Sequence, residues 1–223
     1  MFEGFSEETL RFLWGIRLNN ERSWFLEHKE EYQRSLYEPL KALAAQSQEA
    51  LHARFPRLLL NVHTTRIYRD ARRLHGRGPY KDDLWFVLRE EEEEWTETPV
   101  FYFEISPEGY EYGMGYYSAR PSVMEQYRRR ILREPKELET LARRLNRQKQ
   151  FVLEGPEYRR AKGQVSELLT PWFNRKSVTL DAARPADELL FSPELTGVLA
   201  DGFAWLMPYY QYFKSLELEP PVD

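Results

Sequence analysis

Residues 99–117 constrain the fold most. Phe101, Phe103 and Ile105 alternate with Tyr102 and Glu104, a period of two that suits an extended strand with one apolar and one polar face. Pro107-Glu108-Gly109 follows, and Tyr110-Glu111-Tyr112-Gly113-Met114-Gly115-Tyr116 then resumes an extended pattern. Proline and glycine are turn residues, so the run predicts a hairpin and two antiparallel strands. Leu84-Trp85-Phe86-Val87-Leu88 reads as a further strand, and the stretch from Leu58 to Asp70 is expected to add one or two more.

Such a sheet needs cover, and the flanking sequence has helical period. Ser6-Glu7-Glu8 is an N-terminal capping pattern ahead of Leu10, Leu13, Trp14 and Leu18, and Asn19-Asn20 should end that helix. A second helix, capped by Asn20 or Ser23, carries Trp24, Phe25, His28 and Tyr32 up to Pro39, which marks a break or a new first turn. Leu40 to Phe55 is helical again. Pro121 and Pro135 open two helices, one through Met124, Tyr127 and Ile131, the other through Leu138, Leu141 and Leu145. A helix is expected near 157–170 between short strands at Gln150–Leu153 and Ser177–Leu180. A strong last helix runs from Ser192-Pro193-Glu194 through Leu195, Leu199, Phe203 and Leu206, interrupted or kinked at Pro208. Strands in the middle and helices at both ends predict an α+β fold with a mainly antiparallel central sheet. No repeat, heptad pattern or linker divides the chain, which reads as a single domain over 1–223.

Composition narrows the chemistry. The 223 residues include no cysteine, so disulfides, thiolate metal sites and cysteine nucleophiles are excluded. Met1 to Glu8 lacks a basic region followed by an apolar run, and no later run approaches a membrane span. A soluble cytoplasmic protein with no membrane association is the expectation. The net charge of -4 makes non-specific nucleic-acid binding unfavoured, since that calls for a basic domain. It conceals segregation: Glu90 to Glu94 is an acidic run, while basic residues gather at 57–81 and 128–147.

The densest charged motif is Arg66-Ile67-Tyr68-Arg69-Asp70-Ala71-Arg72, followed by Pro79-Tyr80-Lys81. If it is extended, parity puts Arg66, Tyr68 and Asp70 on one face and Ile67, Arg69 and Ala71 on the other. On the hairpin, Tyr102 and Glu104 oppose the apolar face, and Glu111, Gly113, Gly115 and Tyr117 share one face. Two glycines leave bare backbone that a ligand or another chain segment can approach. These residues outline a polar cavity. Its expected ligand contacts are Arg66, Arg69, Arg72, Tyr80, Lys81, Tyr102, Gly113, Gly115, Tyr117 and, from the tract Arg128-Arg129-Arg130, Arg129. Arginine's planar fork suits phosphate or carboxylate, and Asp70 or Glu104 would act as general base if burial raised its pKa.

The order Gly4-Phe5, Asn19-Asn20, Trp24-Phe25, Tyr32, Pro39, then Arg66-Ile67-Tyr68-Arg69-Asp70-x-Arg72, Pro79-Tyr80-Lys81 and Gly113-x-Gly115-x-Tyr117, with the arginines at 128–130, resembles a family of conserved hypothetical proteins. It is a domain of unknown function, widespread in bacteria and present in some fungi. The resemblance covers nearly the whole chain, so it implies a single domain, and it supplies no activity. Members usually carry Arg-Phe-Ser and Asp-Lys before Pro-Tyr-Lys, whereas this chain has Arg73-Leu74-His75-Gly76-Arg77-Gly78. The loop of this chain therefore lacks the hydroxyl that the resemblance implies for it.

Each motif also has a plain structural reading. Arg66, Arg69 and Arg72 can pair with Asp70, Glu104, Asp82 and Asp83, since buried charges persist when paired. Asn20 can cap a helix, and Trp24 and Phe25 can pack. Gly113-Met114-Gly115 lacks the third glycine of a dinucleotide fingerprint, and no P-loop is present. His28, His52, His63 and His75 show no metal-ligand spacing. No cofactor or metal is called for. The reading is a pocket for a small anionic ligand, phosphate or carboxylate, with or without catalysis; the alternative is a non-catalytic interaction protein whose arginine cluster is structural or contacts a macromolecule.

Overall fold

The computed structural model of the chain describes residues 1–70, 72, 78–91 and 98–218. The segment Arg73–Arg77 and the acids Glu92, Glu93 and Glu94 lie outside the described residues. The fold is α+β, with a six-stranded antiparallel sheet. Its strands are β1 (Asn61–Thr64), β2 (Leu84–Arg89), β3 (Pro99–Ser106), β4 (Gly109–Tyr116), β5 (Val152–Glu154) and β6 (Thr179–Pro185), in the order β1-β2-β3-β4-β6-β5. β3 and β4 form the expected hairpin about Pro107-Glu108. Among the described residues no helix is long and apolar enough to cross a membrane.

The chain forms two compact units, one of residues 1–88, 102–112 and 183–201, the other of 89–101, 113–182 and 202–223. In the first unit, α1 (Glu7–Leu18), α2 (Arg22–Glu27), α3 (Lys29–Glu31) and α4 (Glu38–Arg54) supply a core with Phe5 stacked on Phe103 at 6.0 Å and Phe103 on Phe86 at 5.6 Å. Each such fully buried side chain contributes roughly 1.5–3 kcal/mol relative to exposure. The buried stripe of α1 is Thr9, Phe12, Leu13 and Ile16, one position round from the expected one. Trp14 and Leu18 are exposed instead. The rings of Tyr32 and Trp24, each 5.6 Å from Phe12, fix that phase.

Pro39 opens α4, with a single π-helical stretch (Tyr32–Tyr37) before it. Proline has no N–H to give the carbonyl four residues back, and that carbonyl, Ser35 O, takes the fully buried Thr9 hydroxyl at 2.6 Å. The one polar residue in the α1 stripe thus meets an acceptor that the proline leaves open.

In the second unit, α5 (Pro121–Arg133), α6 (Pro135–Asn146) and α7 (Thr170–Phe173) accompany most of α8 (Leu195–Lys214). Phe101 stacks on Tyr210 at 4.8 Å, and Tyr127 lies 5.6 Å from Phe213. The prolines start α5 and α6 as expected, and α8 continues past Pro208. The helix expected near 157–170 is absent: the segment is a loop up to α7, fastened to residues 174–176 by Tyr158 N–H to Asn174 O and Lys176 N–H to Pro156 O. Gly163 and the charges at 159, 160 and 162 leave it without an apolar stripe to bury.

Candidate functional site

β3 divides as its alternation predicts: Phe101, Phe103 and Ile105 are buried, and Tyr102, Glu104 and Ser106 are half-buried on the other side. The approach to that polar side differs from the sequence reading. Beyond Thr64 the chain leaves strand geometry, and Tyr68 makes only an isolated antiparallel bridge to Tyr80. Arg66, Tyr68 and Asp70 do share a face, but it is the solvent face. Asp70 there accepts the Arg72 backbone N–H at 3.0 Å and its guanidinium at 2.8 Å. Asp70 and Glu104 are therefore not brought together as a pair.

The inward residues are Thr65, Ile67 and Arg69. Arg69 donates to Tyr80 O at 2.7 Å and to Asp82 Oδ1 at 2.7 Å. Asp82 also accepts Arg17 Nε at 2.5 Å, and Arg17 reaches on to Glu108. Burial pushes the Asp82 carboxyl up, but hydrogen bonds and the charges of Arg17 and Arg69 outweigh it and hold the pKa below the ordinary range. This chain of pairs joins α1, the 65–83 segment and the β3–β4 turn.

Asn20 belongs to the same frame. It does not cap α2, whose N-cap is Glu21. Its side chain instead accepts Tyr80 N–H at 2.9 Å and donates to Tyr80 O at 3.0 Å, pairing like a strand. A side chain at position 78 would collide with it, so the close approach of Asn20 requires glycine there. Tyr80 is buried and stacks on Phe25 at 4.4 Å. Trp24 and Phe25 pack, as their plain reading holds.

The frame sets out Lys81, Asp82 and Asp83 in sequence, and of these only Asp82 has an ion pair among the described residues. Lys81 Nζ donates to Thr65 Oγ1 at 2.5 Å and lies 5.6 Å from the Trp85 ring. Its pKa is lowered by burial and then by Arg69, against the pull of Asp83 and Glu104. Asp83 is raised by burial and by Asp82. Glu104 is pushed up to about 7 by burial, then by the charges of Asp83 and Glu111, with Lys81 opposing. Neither Asp83 nor Glu104 has a hydrogen bond or an ion pair among the described residues. Glu104 and Glu111 also line a groove of about 410 Å³ with Ser106, Glu108, Arg184 and Pro185. Among the described residues no three histidine, aspartate or glutamate side chains converge to hold a metal ion.

The remaining expected contacts lie elsewhere. Gly113 and Gly115 do not floor an open face: the backbone at Leu180 O, in β6, and at Val178 O, directly before it, lies where their side chains would project. Of the two visitors that bare backbone admits, it receives another strand. Tyr117 is 63% exposed. Arg129 points outward and pairs with Glu125 at 3.7 Å, while its neighbours Arg128 and Arg130 are buried. Arg130 donates to Tyr212 O and to Ser215. Glu90, from the acidic run, accepts the Tyr210 hydroxyl at 2.8 Å, so this first glutamate is not simply solvated.

Sequence reasoning missed Asp83 as an unpaired group and Asn20 as a clamp. The one signal for Asp83 was its place directly before a strand whose inward side is fully apolar. A comparison with curated proteins finds no match. Comparison with protein families does: residues 8–212 match the family described as conserved hypothetical protein (DUF2461), and the chain belongs to it.

Proposed function

We propose that Glu104 and Asp83, with Lys81 beside them, form a proton-transfer site that opens on the groove of the β3–β4 hairpin and takes a neutral or cationic polar substrate. The observation that carries this reading is the pair of half-buried carboxylates that have no hydrogen bond or ion pair among the described residues. Uncompensated burial of this kind costs stability, and perturbed groups of this kind concentrate where proton transfer is performed. A carboxyl with a pKa of about 7 is half-protonated near neutrality, which suits a general acid or base, a role worth roughly 10² to 10⁴ in rate.

The charge balance argues against an anion at this place. Arg69 and Arg17 are engaged by Asp82 and Glu108, and Arg72 by Asp70. The charges acting on Lys81 are Asp83 and Glu104, opposed by Arg69, and Glu111 in turn acts on Glu104. Thermal-shift titration with size-matched probes tests the reading: ethylenediamine and agmatine should raise Tm, succinate and phosphate should not, and Asp83→Asn with Glu104→Gln should abolish the amine effect. Stabilisation by succinate or phosphate that these variants remove would restore the anion reading. No effect of any probe would favour the interaction-protein alternative.

A further inference from the structure

A second charged constellation, in the other unit, has no part in that chemistry. Tyr158 sits at the start of the loop that replaces the expected 157–170 helix. Three cations converge on its ring: Lys162 Nζ at 4.3 Å from the centroid, Lys176 Nζ at 5.5 Å and the Arg128 guanidinium carbon at 5.5 Å. The arrangement is held by backbone. Asn174 O accepts Tyr158 N–H at 2.9 Å, Asn174 Oδ1 accepts Lys162 N–H at 3.0 Å, and Lys176 N–H bonds Pro156 O at 2.7 Å.

The acids nearby do not balance these charges. Glu125 serves both Arg128, at 3.4 Å, and Arg129, at 3.7 Å, while Glu157 is engaged by Arg175 at 3.3 Å. No described carboxylate pairs with Lys162 or Lys176. Arg128 is 6% exposed, and its Nη1 is buried without a hydrogen-bond partner among the described residues. One cation over one exposed ring gains about 0.5–1 kcal/mol. Three within roughly a Debye length, about 10 Å at 0.1 M salt, also repel one another. A multiply charged anion removes that repulsion and keeps the ring contacts.

We propose that Lys162 and Lys176, backed by Tyr158 and Arg128, bind a phosphate group. Two flexible ammonium groups at the surface recruit the dianion as mobile point charges, and the fixed guanidinium behind the ring supplies a third positive charge. The phosphate belongs either to a small phosphorylated molecule or to the backbone of a single-stranded nucleic acid, where Tyr158 adds an aromatic face near the cations.

The test is a titration of the full chain with inorganic pyrophosphate by calorimetry and with a labelled oligothymidylate by anisotropy, between 25 and 200 mM salt. Pyrophosphate should bind saturably at low salt. The double variant Lys162→Ala/Lys176→Ala should weaken binding by about tenfold or more, Lys162→Arg/Lys176→Arg should retain it, and removal of the exposed Lys136 and Lys149 should leave it unchanged. Oligonucleotide binding tighter than pyrophosphate, falling linearly in log K against log salt at about 0.7 per phosphate contact, assigns the site to a nucleic-acid backbone; oligonucleotide binding no tighter assigns it to a small phosphorylated molecule. The proposal is overturned if neither probe saturates at 25 mM salt, if the alanine pair binds as tightly as the parent, or if the control pair loses as much as the alanine pair does. The melting temperature of every variant accompanies its titration, and both lysines are near the surface, so folding should be unaffected.

Discussion

Asp82 and Asp83 are adjacent in the chain and electrostatically opposite. Asp82 lies between two arginines and is held below the ordinary carboxylate range. Asp83 has no ion pair among the described residues, and burial, then the charge of Asp82, holds it above that range. The same backbone segment therefore carries a charge that braces the fold and a charge that the fold tolerates at a cost. A buried ion pair broken on one side is strongly destabilising, whereas an unpaired buried carboxylate relaxes by binding a proton. The difference separates scaffold from site.

The largest expected effect comes from breaking the brace. Asp82→Ala leaves Arg69 and Arg17 without their shared acceptor and should destabilise the protein by about 2–4 kcal/mol in urea titration, the lower end reflecting partial solvent access. A loss under about 0.5 kcal/mol would put Asp82 on a level with surface pairs. Asn20→Ala removes two hydrogen bonds and leaves the Tyr80 N–H without its acceptor, while Tyr80 O keeps the Arg69 guanidinium, at about 1–2 kcal/mol. Asn20→Asp, which keeps the acceptor alone, should recover part of this.

Glu104→Gln should act in the opposite direction and depend on pH. The carboxyl binds its proton more tightly in the folded state, with a pKa of about 7 against an ordinary 4.5. Its contribution to stability is thus fully present below pH 4.5 and is lost as pH rises to about 7. Glutamine, which does not ionise, should raise stability by on the order of 2 kcal/mol at pH 8 and leave it nearly unchanged at pH 4.5. Equal effects at both pH values would mean that Glu104 is an ordinary acid. Smallest is Asp70→Asn: its partner Arg72 is 88% exposed, and the change in stability should stay within about 0.5 kcal/mol.

The contrast also explains what the sequence made legible. Local rules held where one side chain decides: the Pro107-Glu108 turn, the proline starts of α5 and α6, and the alternation of β3. They failed where a partner distant in sequence decides. Nothing within α1 marks Thr9 as the buried residue, because its acceptor is Ser35, freed by Pro39. Asn20 satisfies every rule for a helix cap, yet its partner lies 60 residues away. The faces of 66–70 were correctly separated by parity, but parity does not say which face meets solvent. Likewise the glycines of β4 announce a close approach, without saying that the visitor is β6.

The central claim is most directly tested by following the carboxyl carbons of Asp82, Asp83 and Glu104 through one ¹³C NMR pH titration. The predicted order is Asp82 below the ordinary aspartate range, Asp83 above it and Glu104 at about 7. Titration of Asp83 and Glu104 alongside exposed carboxylates near pH 4 would contradict the account.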